Sequence, residues 1–221
     1  MMNPVPNNAQ PPGEEPIERL RQRIQALEKE NRDLRQQNMR WMRMAGTSDL
    51  TGLPNTIFFA RAIIPSELGK SIGQHDRGLS FIMLAPDNLG AINQEYGRQV
   101  GDQIVEDFAE FLKEQLDPET DKLGHLDGAN FLIMSVPSDI NNARKKANII
   151  KAKLVMKKFD CDDKQISLTA SMGVVAAETI ETTNNFKIVV DEIFARLTEA
   201  FDQAKKRGGS RIESDTEKTA F

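Results

Sequence analysis

Side chains able to do chemistry are sparse along this chain. Two histidines, His75 and His125, and one cysteine, Cys161, are too few and too far apart to suggest a zinc site. A lone cysteine makes no internal disulfide either, which points to a reducing compartment. The most sharply defined stretch is Leu123–Met134, LGHLDGANFLIM, two apolar segments joined at Asp127-Gly128. Asp-Gly in that setting signals a β-hairpin, because both central residues of a type I′ turn need positive φ. The residues expected at its tip are inert: Ala129, then Asn130 and Phe131.

The elements that must carry such a hairpin follow from the spacing of apolar residues. Thr56–Leu68 and Ile140–Lys157 have helical periods, and Gly78–Ala85 reads as a buried strand. Asn88–Tyr96 predicts a short helix ending at Gly97. Val100, Ile104, Val105, Phe108, Phe111 and Leu112 predict a longer one. Ile166, Leu168, Ala170, Met172 and Val174 alternate with small or polar residues, the period of a half-buried strand. Val190, Ile193, Phe194, Leu197, Phe201 and Ala204 form one face of a last helix, stopped by Gly208-Gly209, with a short strand near Ser210–Ile212. Together they predict an α+β domain over 56–213, helices covering a mostly antiparallel sheet, with a flexible tail over 214–221.

The N-terminal part has another character. Residues 1–13 contain four prolines and three asparagines and read as a disordered tail. Over 14–45 a heptad appears, with Ile17, Ile24, Asn31 and Asn38 at a and Leu20, Leu27, Leu34 and Trp41 at d. Arg23 and Glu28, then Glu30 and Arg35, have opposite signs at facing g and e positions. Isoleucine at a with leucine at d favours a parallel homodimer, and buried asparagine restricts its register. The alternative is an amphipathic helix folded onto its own domain. Prolines, glycine and glutamates before Ile17 exclude a basic-region zipper. Met39, Met42 and Met44 beside Trp41 read as zipper flank, or as an adaptable partner-binding patch. Residues 46–55 are the linker.

Composition narrows the function classes. Twenty-nine basic against thirty-three acidic residues, a net charge of −4, argue against a nucleic-acid partner held through phosphates, and imply no basic face. No apolar run approaches a membrane span and no signal sequence opens the chain, so the expectation is a cytoplasmic protein without a membrane partner.

The order of elements, with DLTGLPN at 49–55, INQEYGRQVGD at 92–102, SMGVVA at 171–176 and AFDQAKKRGGSRI at 200–212, resembles the GGDEF domain of diguanylate cyclases. The likeness covers Ser48 to Arg211, with Ser48 standing where that family usually has aspartate. It implies the family's polymerase palm-like sheet and, in active members, synthesis of cyclic di-GMP from two GTP molecules. The signature falls on Asp127, Gly128, Ala129, Asn130 and Phe131, of which only the glycine and phenylalanine agree. The positions of the two metal carboxylates are Ala85 and Ala129, with Asp87 two residues after the first.

The resemblance therefore implies a degenerate member with no catalytic residue, no metal and no cofactor. Asp87 with Asp127 is the remaining way to rebuild a metal site. Gly90 stands at a phosphate-binding lysine position, while Lys205 matches another phosphate contact. Asn93 and Asp102 match the two guanine-contacting positions; as structural residues they would be a helix cap and a first-turn acid. Asp121 fits the second position of the family's inhibitory product site, but Pro118 occupies the first. Three functions follow as expectations: a non-catalytic dimeric module binding an unidentified protein in signalling or cell organisation, a guanine-nucleotide sensor without turnover, or a weak residual cyclase.

Overall fold

A computed structural model describes residues 14–72, 74, 77–161, 164–177 and 185–215. The expected N-terminal tail, His75 and the final residues 216–221 lie outside these, as do the side chains of Met39, Trp41, Met42, Met44 and Cys161. The chain divides into two compact units, Met1–Met44 and Ala45–Phe221.

The described part of the first unit is one helix, α1, Glu14–Met44. Glutamate, arginine, glutamine and leucine dominate it, with no glycine and a proline only in the first turn, where a missing N–H costs nothing. Ile17, Leu20, Ile24, Leu27 and Leu34 share one face and are 44–63% exposed. Asn31 and Asn38 are exposed with them.

The second unit is α+β. Its helices are α2 (Thr56–Phe58), which runs through a π-helical turn at Phe59–Ile63 into α3 (Ile64–Ser71), then α4 (Leu89–Tyr96), α5 (Arg98–Glu114), α6 (Ile140–Met156) and α7 (Phe186–Lys206). Its strands are β1 (Leu79–Pro86), β2 (Asp121–His125), β3 (Phe131–Ser135), β4 (Phe159–Cys161), β5 (Lys164–Ile166), β6 (Ala170–Ala177) and β7 (Ile212–Ser214). The main sheet has the order β2-β3-β1-β6-β7 and is antiparallel except for β6–β7; β4 and β5 form a separate hairpin.

Alternation along β1 divides the core. Ile82 and Leu84 join Ile104, Phe108, Ile150 and Leu154 on the face covered by α5 and α6. Leu79, Phe81, Met83 and Ala85 join Leu68, Ile193, Leu197 and Phe201 beneath α3 and α7. Asp139 caps α6, its carboxylate accepting the Asn142 N–H at 2.7 Å. At Gly173 of β6 an added Cβ would stand 2.5 Å from the Phe201 nitrogen and 2.8 Å from the Leu197 oxygen, so α7 lies directly on the strand backbone.

Three local expectations need correction. The hairpin turn centres one residue later than Asp127-Gly128: Asn130 N donates to the Asp127 oxygen at 2.9 Å, and Gly128 alone takes positive φ, 57°. Asp127 fixes this turn by accepting the Asn130 side-chain amide as well, at 3.2 Å. The strand expected from Ile166 to Val174 is broken at 167–169, because Ile166 belongs to the β4–β5 hairpin, paired with Phe159, while Ala170 opens the pairing with Pro86 of β1 in the main sheet. Asn93 is no helix cap and Asp102 is past the first turn of α5: Asn93 lies inside α4 and its carbonyl accepts the Gly97 N–H at 3.0 Å.

Asp121 opens β2 with its side chain turned inward and only 1% exposed. It accepts from Lys146, from the Ser135 hydroxyl at 2.6 Å and from the Asp117 N–H at 3.0 Å, while Pro118 is exposed. Asp121→Ala should therefore cost about 3–5 kcal/mol, since it leaves the half-buried Lys146 ammonium without its carboxylate and with only the Ser135 hydroxyl, 2.9 Å away, to accept from it. Urea unfolding measures this; a loss below about 1 kcal/mol would show that the pair contributes little.

Candidate functional site

The exposed end of the sheet holds a cavity of about 520 Å³. Its floor is Ala85-Pro86 at the end of β1, and one wall is Ala129-Asn130 of the hairpin. The register explains their proximity: Leu84 pairs with Phe131, so Asn130 and Ala129, just before β3, come level with Ala85 and Pro86. Asp87 and Asn88 form the turn into α4, with Asn88 in the left-handed region at φ 62°, and Leu89 and Gly90 open that helix. Thr169, Lys205 and Gly208-Gly209 complete the lining.

Among the described residues Asp87 is the only carboxylate in that lining. One of its oxygens accepts the Ser171 hydroxyl at 2.6 Å; the other accepts the Thr169 hydroxyl at 2.7 Å and the Ser210 N–H at 2.9 Å. Charge-assisted hydrogen bonds of this length are strong, and three of them fix the carboxylate between β1, β6 and the loop after α7. Lys205 is exposed, its ammonium 4.2 Å from the centre of the Phe201 ring.

The residues singled out from sequence thus fall into two groups. Ala85, Asp87, Gly90, Ala129 and Lys205 are brought together around the cavity, with methyl groups at both positions where the resemblance implies a metal carboxylate. Asn93 and Asp102 are absent from its lining and belong to the α4–α5 pair. There Asn93 Oδ1 is buried without a donor and rests against Gly101, where an added Cβ would come within 1.6 Å of it. Asp102 is half-exposed, with the Arg98 guanidinium 4.0 Å away. Asp127 bonds to Asn130 and does not line the cavity. Among the described residues no group of three or more His, Cys, Asp or Glu side chains is arranged to hold a metal ion.

One polar cluster escaped the sequence reading. His125 is 5% exposed and stacks on Phe131 with centroids 4.7 Å apart. Its Nδ1 lies 2.8 Å from the Ser48 hydroxyl and 3.1 Å from the Thr51 hydroxyl, and its Nε2 lies 2.9 Å from the Gly128 oxygen. The ring ties the DLTGLPN segment to the hairpin. The departure at Ser48 was the available signal, since a hydroxyl there suits an imidazole partner.

Residues 45–211 match the family described as diguanylate cyclase, GGDEF domain. Diguanylate cyclase DgcP of Pseudomonas aeruginosa is 24% identical over 200 residues, covering 89% of this chain and 28% of DgcP, so the chain spans well under half of that relative. The coiled coil and GGDEF domain of DgcB from Caulobacter crescentus, solved with c-di-GMP, superposes with TM-score 0.62 at 18% identity, covering 89% of this chain and 99% of that one. Diguanylate cyclase SiaD from P. aeruginosa, solved with its activator SiaC, gives TM-score 0.67 at 23% identity over 90% of this chain and 75% of SiaD.

Proposed function

Since the chain belongs to the GGDEF family of diguanylate cyclases, we propose that it is a member without cyclase activity, working as a homodimeric regulatory or protein-interaction module in bacterial signalling or cell organisation. The observation that carries this reading is the pair of alanines, Ala85 and Ala129, beside a cavity whose one carboxylate already accepts three hydrogen bonds. Joining two GTP molecules requires attack of a 3′-hydroxyl on an α-phosphate, with charge neutralised by divalent metal. Mg²⁺ takes hard oxygen donors, so this side-chain set does not fit it. Each 1.36 kcal/mol of lost transition-state stabilisation is tenfold in rate, and a metal clamp contributes several kcal/mol.

Dimerisation is read from α1, whose exposed Ile17, Leu20, Ile24, Leu27 and Leu34 occupy a and d positions. The DgcB neighbour, a coiled coil with a GGDEF domain, supports that reading. Trp41 at the last d position and Asn31 and Asn38 at a belong to the same seam.

The test is incubation of the purified full chain with GTP and Mg²⁺. The expected result is no cyclic di-GMP above background, a deficit of at least roughly three powers of ten against an active relative. Turnover within a factor of about ten of such an enzyme would overturn the assignment.

A second reading, a guanine-nucleotide sensor without turnover, is favoured by two observations. Lys205 lines the cavity, and Asn93 Oδ1 is a buried acceptor lacking a donor. Calorimetric titration with GTP, GDP and cyclic di-GMP, with and without Mg²⁺, decides it; silence at millimolar ligand removes the sensor.

A further inference from the structure

The total charge of −4 conceals a strongly basic segment. Between Ile140 and Lys158 there are seven basic residues and no acidic one. Helix α6 buries Ala143, Ala147, Ile150 and Leu154 in the core, so most of this charge lies on its flanks and outer side. Lys145, Lys151 and Lys157 have no ion-pair partner among the described residues. Among the described residues only Lys146 of this segment, paired with Asp121, meets a carboxylate. The outer crest is apolar: Ile149, Val155 and Met156 are 54, 53 and 83% exposed, with exposed Ala152 between them. At 100° per residue Ile149, Ala152 and Met156 form a single row in line with Lys145, with Lys153 on one side and Lys151 on the other, and Lys157 and Lys158 follow directly on the end of the helix.

We propose that this outer face of α6 docks on an anionic lipid surface. An apolar ridge bordered by lysines is the pattern of a helix lying in a membrane interface, where the ridge enters the headgroup boundary and long lysine stems carry their charges to the phosphates. Other anionic partners fit less well. Residues 140–158 contain no aromatic side chain on which a nucleic-acid base could stack, and a phosphate backbone would leave the ridge wet. Six of the seven charges are lysine, a mobile point charge suited to a diffuse anionic plane, whereas bidentate recognition of carboxylates favours arginine. The inference does not depend on the cavity or on nucleotide binding.

Co-sedimentation of the full chain with vesicles tests it, comparing phosphatidylcholine alone with phosphatidylcholine containing phosphatidylglycerol. Binding is expected only with phosphatidylglycerol and should weaken with salt. Replacing Lys145, Lys151 and Lys157 by Gln should lower the partition about a hundredfold, roughly fivefold per lysine. Ile149→Ser with Met156→Ser should lower it at unchanged charge. None of the five side chains is buried in the core, so both variants should keep the parent's thermal unfolding, which separates lost binding from lost fold. No binding to phosphatidylglycerol vesicles at millimolar lipid, or binding that neither variant weakens, overturns the proposal. Binding to polyglutamate in the absence of vesicle binding also overturns it and assigns the face to an acidic protein.

Discussion

Replacing Leu27 and Leu34 together by lysine is expected to leave only monomers in light scattering at micromolar concentration. Both leucines are exposed on α1, 44 and 56% respectively. Packing them in a two-stranded seam hides four leucines per dimer, each contributing about 1.5–3 kcal/mol. Loss of about 6 kcal/mol or more weakens association by roughly four powers of ten. Four lysines facing one another across the seam add repulsion. The isolated helix should unravel as well, because most helical stability comes from packing an apolar face. An unchanged dimer would mean that association resides in Ala45–Phe221, and the reading of α1 as the dimerisation element would fall.

Gly173→Ala should be the most damaging single methyl in the second unit. The new Cβ would meet the Phe201 nitrogen at 2.5 Å and the Phe201 Cα at 2.9 Å. These are backbone atoms of α7, which cannot rotate away as a side-chain end would. Overpacking ordinarily costs about 1–3 kcal/mol, and a clash with helix backbone belongs at or above the upper end. For a unit of this size about 3 kcal/mol lowers the melting temperature by roughly 6–12 °C. Gly128→Ala is the control: its φ of 57° penalises alanine, but nothing lies within 4 Å of the new methyl. That change should cost only about 1 kcal/mol. If the two variants melt together, the contact between α7 and β6 is looser than this geometry implies.

How much of the molecule was legible in its residues depends on how local each feature is. The helices rich in Val, Ile, Leu and Phe at spacings of three and four, such as α5 and α7, could be read directly, and so could β1 and β3. The position of Lys205 at the cavity followed from motif order. Long-range competition decided what was missed. The alternation from Ile166 to Val174 reads as continuous, but Ile166 pairs with Phe159 whereas Ala170 pairs with Pro86, eighty-four residues away. The hairpin turn moved because Asp127 acts as an acceptor for Asn130, a side-chain choice that a dipeptide rule does not see. His125 looked like an isolated ring until Ser48 and Thr51 were brought to it across more than seventy residues. The basic face of α6 was hidden in a different way, since summing charge over the whole chain discards where it sits.

The hydrogen bonds to Asp87 also bear on when the end of the sheet can form during synthesis. Its donors lie 82, 84 and 123 residues further along the chain. A growing polypeptide therefore has both alanines and the aspartate in hand long before the serine that completes their surroundings has been translated. Links of such span close late, because the entropy of the intervening loop must be overcome first. The ribosome must have passed Ser210 before this corner is fixed, and until then it offers a partner no defined shape to recognise.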